Sequence, residues 1–136
     1  PISPELQALR RALPRPEGLE LIQELNPVEL LAMLRNSLAL VSASMEEGFD
    51  YPVLEAKAEG IPTLLSQIPV HVEFHTGSSL FFPAEGGEEA FAAALARLLA
   101  DSRLWWDLSA SGRELALSLS VTHQQRALNA QMSQLS

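Results

Sequence analysis

Between Ser44 and Ala58 the chain reads Ser-Met-Glu-Glu-Gly-Phe-Asp-Tyr-Pro-Val-Leu-Glu-Ala-Lys-Ala, which gathers acidic side chains and a glycine just after an apolar run. Pro52 marks the first turn of a helix running to residue 59, so the amides from Tyr51 to Leu54 belong to a helix N-terminus. Such an end carries unsatisfied N–H groups and about half a positive charge, which suits a phosphate. Gly48 lets a ligand approach backbone that a side chain would block. Glu47 lies before the helix and Glu55 one turn inside it, so a loop folded over the helix start lets the two carboxylates flank one small ligand. A carboxylate accepts from two vicinal hydroxyls as readily as from one N–H, so this layout favours a nucleotide-sugar over a bare phosphate.

Strands and helices must hold that stretch in place. Leu38-Ala39-Leu40-Val41 is continuously apolar, the pattern of a parallel strand covered on both faces. Ile61 to Ser66 and Leu80-Phe81-Phe82 read as further short strands, with Gly60 ending the helix between the first two. Upstream, Ser3 and Pro4 open a short amphipathic helix to residue 13, Gly18 to Leu25 reads as an edge strand, and Asn26-Pro27-Val28-Glu29 carries a capping-box start for a helix over 27–36. Residues 67 to 78 read as turn-rich. Beyond Pro83 the pattern is helical over 88–100, 102–120 and 121–135, the last opened by Thr122 with Gln125 three residues on. Strands alternating with helices predict an α/β domain, an open parallel sheet with helices on both faces and a helical C-terminus. Ligands of such sheets sit at the carboxyl ends of the strands, where residues 42–55 fall.

Composition narrows the chemistry. A chain of 136 residues, 47% hydrophobic, supports one ordinary core, and residues 1–136 are expected to form a single domain. A formal net charge of -8 argues against a nucleic-acid partner, because phosphate neutralisation needs a clustered basic surface. The absence of cysteine excludes disulfides, thiolate metal sites and a cysteine nucleophile. With neither a run of ~18 apolar residues nor a signal-peptide layout, the expectation is a soluble, intracellular chain.

The run Glu47-Gly-Phe-Asp-Tyr-Pro-Val-Leu-Glu55-Ala-Lys-Ala-Glu-Gly60-Ile-Pro62 resembles the signature of the group 1 glycosyltransferases, retaining enzymes of GT-B fold, whose pattern is close to E-G-F-G-x-P-x-x-E-A-x-A-x-G-x-P. Ser66-Gln67-Ile68-Pro69-Val70-His71-Val72-Glu73 follows at the family's distance. The likeness covers roughly residues 18 to 130 and implies a Rossmann-like, donor-binding C-terminal half. It implies a UDP- or GDP-sugar donor, no cofactor and no metal, and transfer to an acceptor held by an N-terminal domain that this chain lacks.

Residue by residue, the resemblance makes Glu55 the ribose-binding glutamate and Glu47 the catalytic glutamate facing the donor sugar. It makes Gly48, Phe49 and Asp50 the loop whose amides meet sugar hydroxyls, and Val53 and Leu54 the positions whose amides meet the diphosphate. Asp50 stands where the family has glycine, which places an added carboxylate near the donor. The family's basic diphosphate residues lie before Gly18, where this chain has no matching strand-loop-helix. The chain is therefore expected to be an N-terminally truncated fragment, inactive alone, of a hexosyltransferase that is cytoplasmic or peripheral at the inner membrane surface. Alternatives are a non-catalytic interaction module of the same fold and a related GT-B enzyme, such as a nucleotide-sugar epimerase or a phosphorylase.

Other residues invite plainer readings. His71, Glu73 and His75 would share one face of a strand and could ligate a metal, but Ile68-Pro69 favours an irregular loop with surface polar groups. Lys57 reads as a solvated helix residue. Trp105 falls on an apolar helix stripe and reads as core, with Trp106 less constrained. Val121, Leu128, Met132 and Leu135 form a stripe that suits packing on another domain or self-association.

Overall fold

A computed structural model describes residues 2–46 and 48–135. The chain divides into two compact units, Pro1–Met33 and Leu34–Ser136.

In the first unit, helix α1 (Pro4–Arg11) starts as its sequence dictates. The Ser3 hydroxyl accepts the Leu6 N–H at 3.2 Å, and Pro4 fills the first turn, where its missing N–H costs nothing. Arg10 donates from Nε to the Leu19 carbonyl at 2.6 Å, after a 3-10 turn at Pro16–Gly18. The strand expected over 18–25 does not form: residues 19–26 have no ladder partner and no regular structure. Apolar residues alone do not make a strand, because its backbone groups need a neighbouring strand, and this unit holds none among its described residues. Asn26 then starts helix α2 (Pro27–Arg35). Its Oδ1 accepts the Glu29 N–H at 2.8 Å, the cap that the sequence predicts, while the Glu29 carboxylate accepts from the Asn26 side-chain Nδ2, where a capping box uses the backbone N–H.

The second unit is an α/β domain, with an open, wholly parallel sheet flanked by helices. Strands β1 (Leu40–Ser42), β2 (Thr63–Ser66) and β3 (Leu80–Phe82) lie in that order, with Val41 opposite Leu64 and Leu64 opposite Leu80. The strand covered on both faces is β2, every residue of which is buried. The run Leu38–Val41, expected to be covered, instead feeds the edge strand β1, and Leu38 and Val41 stay exposed. Helix α3 (Tyr51–Ala58) crosses from β1 to β2 and ends at Gly60, whose φ of 74° is left-handed backbone that glycine adopts without strain.

Helix α4 (Pro69–His75) occupies the stretch expected to be turns. Ile68 is extended at φ -110°, ψ 157°, and Pro69 takes the first helical position, so the proline starts a helix rather than breaking one. Helix α5 (Glu88–Ala100) packs Phe91 edge-on against Phe82, with centroids 5.2 Å apart. Helix α6 (Ser102–Leu135) is continuous over 34 residues, where two helices were expected. Thr122, read as a cap, donates instead to the Ser118 carbonyl at 3.0 Å, a bond that a hydroxyl makes inside a helix. Gly112 within α6 serves contact, since a Cβ there would lie 3.1 Å from Lys57 Cγ of α3. Trp105 is half-buried and donates from Nε1 to the Leu38 carbonyl, while Trp106 is 67% exposed. Among the described residues no helix is long and apolar enough to cross a membrane.

Candidate functional site

The carboxyl ends of β1 and β2 meet the segment entering α3, and polar side chains converge there. Ser42 closes β1 and donates from Oγ to Asp50 Oδ2 at 2.7 Å. Ser66 closes β2 and donates from Oγ to the Ser44 carbonyl at 2.6 Å. His71, one turn into α4, holds Asp50 Oδ2 with Nε2 at 2.8 Å and the Ser66 carbonyl with Nδ1 at 2.8 Å. His71 is fully buried and Asp50 is 6% exposed. Both ring nitrogens thus face oxygen atoms, and the Ser66 hydroxyl hydrogen is spent on the Ser44 carbonyl.

The side chain of Asp50 is therefore accounted for. It stands at the N-cap of α3 yet makes no side-chain cap bond, and its carboxylate points into the protein rather than out to a donor sugar. Phe49 sits half-buried between the rings of Tyr51 and Phe74, with centroids at 4.9 and 5.2 Å. Tyr51 N–H donates to the Phe49 carbonyl at 3.1 Å, and Leu54 N–H to the Asp50 carbonyl at 3.4 Å. Val53 is fully buried, while Gly48 and Glu55 are exposed. Glu47, the residue expected to face the reacting sugar, lies outside the described residues.

Beside this segment opens a cavity of about 710 Å³, lined by Met45, Glu46, Gly48, Ile68, Pro69 and Val70. That volume lies within the range of small-molecule sites, roughly 300 to 1,000 Å³. Its walls come from two places, the turn after β1 and the start of α4. The second wall exists because residues 69–75 are helical where the sequence predicts turns.

Behind the site, helices α3 and α4 share a buried polar cluster. Lys57, expected in solvent, is 1% exposed. Its Nζ lies 2.8 Å from His75 Nδ1 and donates to Ser78 Oγ at 2.6 Å. Burial pushes the Lys57 ammonium down from 10.5 to about 7. Burial first, and then the charges of Lys57 and His71, push the His75 imidazole down to about 4, against a smaller upward pull from Asp50. His71 and His75 are both buried and Glu73 is exposed, so the possible metal set of the sequence is not assembled, and the segment carrying it is a helix rather than a loop. Among the described residues no group of three His, Cys, Asp or Glu stands ready to hold a metal ion.

Three comparisons bear on this arrangement. Residues 4–115 match the model of the family described as glycosyl transferases group 1. The O-antigen chain mannosyltransferase RfbU of Salmonella typhimurium is 37% identical over 60 residues, which are 44% of this chain and 17% of that protein. The structure of sucrose-phosphate synthase from Thermosynechococcus elongatus superposes with a TM-score of 0.80 at 22% identity, covering 97% of this chain and 34% of that one. The chain thus spans about a third of the structural relative and a sixth of the curated one, and the structural likeness concerns the fold.

Proposed function

Because the chain belongs to the group 1 glycosyltransferases, matched over residues 4–115, we propose that it supplies the nucleotide-sugar-binding part of an enzyme that moves a hexose from a UDP- or GDP-sugar to an acceptor with retention of configuration. The observation that carries this reading is the 710 Å³ cavity walled by Met45, Glu46 and Gly48 of the segment that leads into α3 and by Ile68, Pro69 and Val70 at the start of α4. The positive end of α3 is assigned to the diphosphate; the Leu54 N–H already donates to the Asp50 carbonyl and Val53 is buried, so the attraction is that of the helix end as a whole at the positions of Val53 and Leu54. Glu55, exposed one turn further, accepts from the ribose hydroxyls. Gly48, Phe49 and Asp50 present backbone to the sugar. Glu47 takes the catalytic position from its place in the motif alone.

Catalysis of this kind is positioning together with electrostatic stabilisation of the leaving diphosphate, with no covalent group on the protein. The acceptor is assigned to a second domain, and the reaction to the cytoplasmic side of the membrane. The mannosyltransferase relative makes a mannosyl donor the first to try.

Isothermal titration with GDP-mannose and UDP-glucose tests the assignment. Binding of one of them, weakened about tenfold by Glu55→Ala, is the expected result, since a hydrogen-bonded charged group contributes about 1.5–3 kcal/mol. No binding of either at millimolar concentration would overturn it.

A further inference from the structure

The segment from Ser44 to Asp50 is tied down at both ends by groups that do not line the cavity. At its start, the Ser44 carbonyl accepts the Ser66 hydroxyl at 2.6 Å. At its end, Asp50 Oδ2 accepts from Ser42 Oγ at 2.7 Å and lies 2.8 Å from His71 Nε2. The two ties are one assembly, because His71 Nδ1 reaches back 2.8 Å to the carbonyl of the same Ser66. Phe49 adds a ring contact to Phe74 of α4. Glu46 and Gly48, which line the cavity, lie between the anchors.

An aspartate at a helix N-cap ordinarily accepts the amides of its own helix, and here it does not. Its carboxylate is spent on a fully buried histidine 21 residues away, a partnership that costs desolvation and returns a fixed backbone position. We propose that Asp50 and His71 are a positioning pair which, through Ser66, sets the height of the 44–50 segment over the cavity and so governs how the protein meets the sugar moiety of its donor, as distinct from the nucleotide. The inference rests on the donor-site reading above. It follows from the division of the site: the α3 start and Glu55 serve the nucleotide and are held by the helix itself, whereas contacts to the sugar come from backbone outside the helix, held by these anchors together with the Phe49 ring contact. Loosening an anchor therefore removes the sugar-dependent part of the affinity and leaves the nucleotide part.

The test measures the affinity of the 136-residue chain for GDP-mannose and UDP-glucose and, in parallel, for GDP and UDP. His71→Phe keeps the ring volume and deletes both hydrogen bonds, and Asp50→Ala deletes the acceptor. Each is expected to weaken sugar-nucleotide binding about tenfold, the value of one hydrogen bond to a charged group, while free nucleotide changes less than about twofold. The double variant should lose less than the sum of the two singles, because the Asp50–His71 bond is common to both. Asp50→Asn, which keeps an acceptor oxygen, should restore most of the loss. Ser66→Ala, which removes only the hydroxyl on Ser44, should give a smaller loss of the same kind and keeps the test open if His71→Phe fails to fold. Equal losses for sugar-nucleotide and free nucleotide, or none for either, would overturn the positioning role while leaving the donor site standing. Failure of the unaltered chain to bind any of the four compounds would overturn the donor reading and this inference together.

Discussion

Lys57 Nζ lies 2.8 Å from His75 Nδ1 at the α3–α4 contact, in a position that leaves the lysine 1% exposed, with its stem against Gly112 of α6. A lysine buried beside a histidine and a serine hydroxyl is stable when neutral and costly when charged. The cluster therefore makes the stability of the domain depend on pH, and its His75 ring lies 6.3 Å from the ring of His71 in the candidate site.

The alkaline side follows from Lys57. Its folded value of about 7 lies below its ordinary 10.5, so between those limits the unfolded chain holds a proton that the folded chain does not. The penalty is complete below pH 7, shrinks as pH rises, and is gone above 10.5, which gives a slope of at most about 1.4 kcal/mol per pH unit. Urea unfolding at pH 7 and pH 9.5 should show the wild-type chain gaining stability with pH. Lys57→Met, which keeps the stem on Gly112, should flatten that gain; an unchanged gain would show that Lys57 is not its source.

His75 governs the acid side in the same sense. Its folded value of about 4 lies below its ordinary 6.5, so stability falls as pH drops through that window and the unfolded chain takes up the proton. His75→Gln keeps a hydrogen-bonding group opposite Lys57 and removes the titration. Thermal unfolding at pH 6.5 and pH 4.5 should show a smaller drop in Tm for the variant than for the wild type.

Two glycines separate backbone strain from close contact. Gly60→Ala places a Cβ 2.3 Å from Arg113 Nε, but the guanidinium is the end of a flexible chain, so the cost comes from the φ of 74° and is expected at roughly 1 kcal/mol. Gly112→Leu forces a branched side chain against the Lys57 stem at the α3–α6 crossing, with an expected cost of about 1–3 kcal/mol. Chemical denaturation of each variant reads both values.

Local rules made much of this legible in the residues. Ser3, Asn26 and Gly60 place three helix ends, and the run Ile61 to Ser66 holds a strand of a parallel sheet as its residues predict, although the covered position predicted for Leu38–Val41 belongs to it. The failures share a cause, namely partners that lie far away in sequence. Residues 18–25 looked like a strand because periodicity reports side chains and not the neighbour that must pair with the backbone. Lys57 looked solvated because nothing near it in sequence announces that Gly112 and His75 will close over it. His71 reads from the sequence as a metal ligand or a loop residue. The spacing of four between His71 and His75, with Pro69 ahead of them, was the available sign of a short helix with both rings turned inward.

The central claim is that the 44–55 region receives a nucleotide-sugar. Backbone amide chemical shifts of the ¹⁵N-labelled chain, followed while GDP-mannose or UDP-glucose is added, test it most directly. Saturable shifts are expected at Glu46, Gly48, Phe49 and Val53 to Glu55, and at Val70 on the opposite wall, with Glu55→Ala abolishing most of them at the same ligand concentration. Shifts scattered over α5 and α6 with this region silent, or no shifts at millimolar ligand, would contradict it.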